Sequence, residues 1–98
     1  MDLFRTSFPT AKWPEILALN SSTAKGRTFH ALRPGLWVRG EDLARVAGFD
    51  YRTRCSRLRD LGVPVESRSV TDSPCYQFRI SSTFLMAYEE MRNQRRSA

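Results

Sequence analysis

Gly48-Phe49-Asp50-Tyr51-Arg52-Thr53-Arg54-Cys55-Ser56-Arg57-Leu58-Arg59-Asp60-Leu61-Gly62 is the stretch from which the rest of the chain is read. Between its glycines, Tyr51 to Leu61 has the pattern of an amphipathic helix. At about 100° per residue, Tyr51, Arg54, Cys55, Leu58 and Leu61 share one half of the cylinder. Arg52, Thr53, Ser56, Arg57 and Asp60 occupy the other half, and Arg54 and Arg59 lie at the borders. One half offers apolar groups for packing. The other offers side chains that hydrogen-bond to bases and phosphates. A helix that merely faces water interleaves Glu with Lys at i,i+4 spacing, whereas here Arg52, Arg54, Arg57 and Arg59 have only Asp60 as an acidic neighbour. Such crowding raises the energy of the free protein, and a partner's phosphates would relieve it.

On the N-terminal side, Gly48-Phe49-Asp50 reads as a tight turn, with Gly48 free to take a left-handed conformation and Asp50 placed to cap the helix. Before it, Glu41 to Ala47 carries Leu43, Val46 and Ala47 at helical spacing, with Glu41 and Asp42 suited to the positive end of the helix dipole. Leu36-Trp37-Val38 is a brief extended piece, and Pro34-Gly35 closes a short helix over Arg27 to Leu32. Further back, Pro14 fits the first turn of a helix that ends near Asn20-Ser21-Ser22. Trp13, Ile16 and Leu17, together with Phe4 and Phe8, are expected to lie on the main domain, because so many large apolar groups would be an aggregation hazard in a free arm.

On the C-terminal side, Val63 to Val70 and Cys75 to Ile80 alternate like strands, and Thr71-Asp72-Ser73-Pro74 between them is turn chemistry, so an antiparallel hairpin is expected. Arg68 and Arg79 point outward in this reading. Ser81 or Ser82 then caps a helix with the apolar stripe Phe84, Leu85, Tyr88 and Met91, followed by Arg92, Arg95 and Arg96. The stripe has two readings. It covers the domain's own core, or it pairs with its counterpart in a second chain as a homodimer. The thin core of the central segment favours the first.

The order helix, short strand, helix, three-residue turn, helix, hairpin is that of a winged helix-turn-helix, an α+β fold in which a three-helix core carries a β-hairpin wing. The expected division is an N-terminal arm at 1–24, the winged domain at 25–81, and a C-terminal helix with a basic tail at 82–98. Composition agrees with a polyanionic partner. In 98 residues, Lys plus Arg number 16 against 10 acidic residues, giving a formal charge of +6. All the cations but Lys12 and Lys25 are Arg, whose planar fork holds a phosphate or a guanine edge bidentately. The length leaves room for one small core.

Other classes fall away. No apolar run approaches a bilayer span and Met1-Asp2-Leu3-Phe4-Arg5 lacks a signal core, so the expectation is a soluble, cytoplasmic protein with no membrane partner. Cys55, Cys75 and the lone His30 fall short of a four-ligand zinc site, and neither metal nor cofactor is expected. No phosphate loop, nucleophile elbow or supported carboxylate pair is present, and the expectation is a protein that is not an enzyme.

The run Arg54-Cys55-Ser56-Arg57-Leu58-Arg59-Asp60-Leu61-Gly62-Val63-Pro64-Val65-Glu66-Ser67-Arg68 resembles the core of a family of helix-turn-helix domain proteins common in bacteriophages and prophages. The likeness runs from about Arg27 to Ile80 and includes the Leu43-Ala44 pair and the closing Tyr76-x-Phe78. Two alignments are open: Arg59-Asp60-Leu61 stands where the family has Asp-Leu-Arg, or Arg57 stands where it has Asp. The resemblance implies a winged-helix fold and a phage setting.

The function expected is double-stranded DNA binding, with transcriptional regulation as its purpose. Arg52, Thr53, Ser56 and Arg57 would meet base edges and nearby phosphates in the major groove. Arg54, Arg59, Arg68 and Arg79 would be peripheral phosphate contacts, the last two on the wing. The alternative is a small phage inhibitor of a host protein such as a nuclease or defence complex, built on the same scaffold, with the aromatic-rich arm and tail as its contact surface. Trp37 and Tyr76 are expected to pack at the core or the wing base.

Overall fold

Pro14 starts the first helix, α1 (Trp13–Leu17), from its first turn, where a missing N–H costs no bond. The helix stops at Leu17, short of the expected Asn20-Ser21-Ser22. Asn20 explains the early stop: its amide donates to the Ala18 carbonyl at 3.3 Å and its side-chain oxygen accepts from the Ser22 N–H at 2.8 Å, so a side chain takes over backbone partners. The computed structural model describes residues 8–70 and 76–97, with side chains as far as Arg95. The expectations for Phe4, for the turn Thr71-Asp72-Ser73-Pro74, for Cys75 and for the side chain of Arg96 lie outside the described residues.

Helix α2 spans Ala24–Leu32 and begins earlier than the expected Arg27, because Thr23 is a true N-cap whose Oγ1 accepts from the Gly26 N–H at 3.0 Å. Strand β1 (Val38–Arg39), α3 (Gly40–Ala47) and α4 (Tyr51–Asp60) follow. Gly48 has φ 84°, the left-handed side expected of it. Asp50 occupies the N-cap position of α4, but its side chain makes no capping bond. The two helices meet instead through Gly40, where a Cβ would lie 2.6 Å from the Tyr51 hydroxyl oxygen.

Strands β2 (Val65–Ser69) and β3 (Tyr76–Ile80) pair from Val65 opposite Ile80 to Ser69 opposite Tyr76. β1 joins the other edge of β3, with Val38 opposite Phe78, so the antiparallel sheet runs β1-β3-β2. The alternation of the strands turns Val65, Phe78 and Ile80 into the core and leaves Glu66 and Arg68 exposed, as period two requires. Among the described residues the architecture is therefore α+β, five helices with one small antiparallel sheet.

The last helix, α5 (Ser82–Ser97), closes the core. Phe84, Tyr88 and Met91 are buried with Phe29, Leu32, Leu43 and Leu58, and Leu85 packs against their edge. Trp13 of the arm stacks on Phe84 at 5.2 Å between ring centroids, while Phe8 meets the same ring edge-on at 5.1 Å. The apolar stripe of α5 thus covers its own chain. Of the four residues named for a homodimer, Phe84, Tyr88 and Met91 are 0%, 3% and 6% exposed, so the stripe is used within the chain, the first of its two readings. Among the described residues of the arm, Trp13 and Ile16 are likewise turned inward, at 3% and 0% exposure.

Two close approaches seat the arm. The Lys12 N–H donates to the Leu61 carbonyl at 2.8 Å, and at Gly62 (φ 90°) a Cβ would lie 2.6 Å from the Cα of Ala11. A Cβ on Gly26 would overlap the carbonyl oxygen of Asn20 and lie 2.7 Å from its carbonyl carbon.

Candidate nucleic-acid interface

Helix α4 separates its two halves as its periodicity demands. Cys55 and Leu58 are buried at 1% and 0%, while Arg52, Thr53, Ser56, Arg57 and Arg59 are exposed. None of these arginines forms an ion pair with a carboxylate among the described residues, and the Arg57 side chain makes neither a hydrogen bond nor an ion pair there. The guanidinium of Arg52 lies 5.3 Å from the ring centroid of Tyr76 and 6.0 Å from that of Tyr51. That of Arg59 turns back along the helix, its Nε donating to the Val65 carbonyl at 3.0 Å. Arg54 departs from the set. It is half-buried and its Nε is sealed from water without an acceptor, so it has been drawn into the protein on the same side as Cys55 and Leu58.

The outer face of the sheet carries a second cationic group. Arg68 and Gln77 stand opposite each other across the β2–β3 ladder, and the Arg68 Nε donates to Gln77 Oε1 at 2.8 Å. Arg79 stands opposite Glu66 and pairs with it at 2.9 Å. Trp37, just before β1, lies within reach of both: the Arg68 and Arg79 guanidiniums are 4.1 Å and 4.4 Å from its ring centroid. Cations this close to an indole face are attracted by its quadrupole. The tryptophan therefore restrains two long side chains that would otherwise lose about 2 kcal/mol of rotamer entropy each on binding a phosphate. Trp37 thus packs beside the strands of the hairpin, and its clasp on two arginines depends on cross-strand register, which periodicity does not reveal.

Between α4 and the hairpin lies a cleft of about 220 Å³ lined by Arg52, Cys55, Arg59, Ser67, Tyr76 and Phe78. Among the described residues no carboxylate lines it. Burial pushes the Cys55 thiol up from its ordinary range, and the nearby Arg59 charge only partly opposes this, so the floor of the cleft is a neutral thiol at pH 7. Tyr76 and Phe78, flagged in the sequence as strand aromatics, differ in role: Phe78 is core, while Tyr76 is 43% exposed and supports Arg52.

Several other polar side chains find partners within the fold. The Arg27 guanidinium donates to the carbonyls of Val46 and Ser21 and ties α3 to the arm. Arg33 pairs with Glu89 at 2.6 Å, and His30 Nε2 lies 3.2 Å from the Leu19 carbonyl. Among the described residues, no three His, Cys, Asp or Glu side chains gather where a metal could bind. No helix among them is long and apolar enough to cross a membrane.

No family model, curated protein or solved structure matches this chain.

Proposed function

We propose that the chain is a winged helix-turn-helix protein of phage type that binds double-stranded DNA as a transcriptional regulator, with α4 in the major groove and the β2–β3 hairpin against the backbone. Three features support the fold reading: the element order α2-β1-α3-α4-β2-β3, the turn at Gly48 between α3 and α4, and the sheet order in which β1 pairs with β3. The observation that carries the function is the outward face of α4. Its Arg52, Thr53, Ser56 and Arg57 are exposed on a helix whose other half is locked in the core, and no described carboxylate neutralises the arginines. Arg59, Arg68 and Arg79 supply peripheral phosphate contacts, and Arg54 is left out of the set because it is half-buried with its Nε enclosed. The phage setting rests on the family resemblance of the stretch Arg54 to Arg68. The reading as a non-catalytic protein rests on the absence of any recognised catalytic constellation in the sequence.

The surface that favoured a host-protein inhibitor was the aromatic arm and tail, and Trp13, Phe84 and Tyr88 among them are used in the core, so DNA binding is the better supported reading. The test is titration of duplex DNA by fluorescence anisotropy over about 50 to 200 mM salt. Arg57→Ala is expected to lower the log-log salt slope by about 0.9 while leaving stability within about 0.5 kcal/mol. If both Arg52→Ala and Arg57→Ala bind with the wild-type affinity and slope, α4 does not face the DNA.

A further inference from the structure

We infer that the cleft between α4 and the β2–β3 hairpin is a phosphoryl-binding site that takes one phosphate group between Arg52 and Arg59, with the hydroxyls of Ser67 and Tyr76 as additional donors. The inference deepens the DNA-binding reading and rests on it for the origin of the phosphate. Its volume, about 220 Å³, lies below the usual range of pockets for drug-sized ligands and suits a single small group. Among the described residues its lining includes Arg52, Arg59, Ser67 and Tyr76 and no carboxylate, and guanidinium and hydroxyl donors suit a tetrahedral oxyanion.

The two arginines are held before any ligand arrives. The Arg59 Nε is committed to the Val65 carbonyl, which fixes the plane of the guanidinium and leaves its terminal nitrogens for a ligand. Arg52 is steadied from the other side by the rings of Tyr76 and Tyr51. Ser67 stands opposite Phe78 on the ladder, so its hydroxyl comes from the wing while both arginines come from the helix. A phosphate in the cleft would therefore touch both elements at once and set their register on the duplex, the task that backbone contacts perform in protein–DNA recognition. Neither Ser67 nor Tyr76 stands out as a binding residue from sequence, because each is an ordinary member of a strand until β2 and β3 are folded against α4.

The experiment follows the Arg Nε–H and backbone amide resonances of the whole chain by heteronuclear NMR. Inorganic phosphate is titrated against chloride at matched ionic strength, and a mixed-sequence duplex is titrated separately. Saturable shifts at Arg52, Arg59, Ser67 and Tyr76 are expected in both titrations. The double variant Ser67→Ala/Tyr76→Phe keeps the ring that steadies Arg52 and alters only exposed groups, and it should bind phosphate about tenfold more weakly. If phosphate moves these resonances and the duplex does not, the site stands with a small phosphorylated molecule as its ligand, and the DNA reading falls. If the duplex binds while phosphate leaves the cleft unchanged, or if the double variant binds phosphate as tightly as the wild type, the inference is overturned and DNA binding stands. If neither titration moves them and no duplex binding is seen, both fail.

Discussion

Replacing Gly26 by alanine sets a local rule against a packing fact, and the two have opposite signs. In a helix interior, alanine is favoured over glycine by about 0.8–1.0 kcal/mol. Gly26 lies in α2 without a positive φ, so backbone propensity alone makes Gly26→Ala stabilising. The added Cβ would, however, overlap the Asn20 carbonyl oxygen and sit 2.8 Å from the Asn20 nitrogen. These are main-chain atoms that cannot swing aside as a side-chain tip would. Overpacking in a tight interior typically costs about 1–3 kcal/mol, and an obstacle made of backbone belongs at the upper end. The arm must shift to make room, straining the Lys12 to Leu61 hydrogen bond and the Trp13–Phe84 stack that hold it. Subtracting the propensity gain leaves a net loss of about 2 kcal/mol. Urea unfolding followed by circular dichroism measures this as a midpoint lowered by about 1–2 M at unchanged m. Thermal unfolding would show a loss of about 8–16 °C for a domain of this size. A midpoint equal to or above the wild-type value would refute the reasoning, because it would mean that the Asn20 loop is not seated on α2.

Three further outcomes are expected. Arg54→Met retains the apolar stem and removes a buried Nε that lacks an acceptor, so stability in urea should be unchanged or higher and duplex affinity unaltered; a large loss of affinity would return Arg54 to the binding face. Glu66→Gln removes the carboxylate beside Arg79 in an exposed pair, so it should cost at most about 1 kcal/mol and strengthen duplex binding at low salt, an effect that disappears as salt is raised. Cys55 ionises less readily folded than unfolded, so its neutral thiol supports the fold fully below the ordinary thiol pKa of about 8.5 and that support is lost as pH rises through the higher folded value. Cys55→Ala should flatten this alkaline decline in urea midpoints, and an unchanged pH dependence would assign the decline to another group.

How much of this was legible in the sequence depended on whether the information was periodic. The faces of α4 were read correctly because Cys55, Leu58 and the arginines repeat at helical spacing, and the inward set Val65, Phe78 and Ile80 followed from alternation by two. The start of α2 was missed because Thr23 is a cap, a single residue outside any repeat. The seating of the arm was foreseen only in outline. Its determinants, Gly26 against Asn20 and Gly62 against Ala11, are contacts between segments distant in sequence or sharing no period. Arg54 sat on a border of the wheel, and what lay across from that border decided its burial. The same limit applied at the site, where the clasp of Trp37 on Arg68 and Arg79 and the joining of Ser67 to Arg52 and Arg59 both require strands in register.

The Phe84 ring bears on synthesis as well as stability. It receives Trp13 on one face and the edge of Phe8, so segments translated early and late must meet on one side chain before the interior is sealed. While the ribosome is still making the hairpin, Leu58 and Phe29 lack their covering, and the nascent chain holds an open greasy surface beside a strongly cationic helix. The contacts of the arm with Leu61 and Gly62 can form early, but its aromatic packing is complete only once α5 is in place.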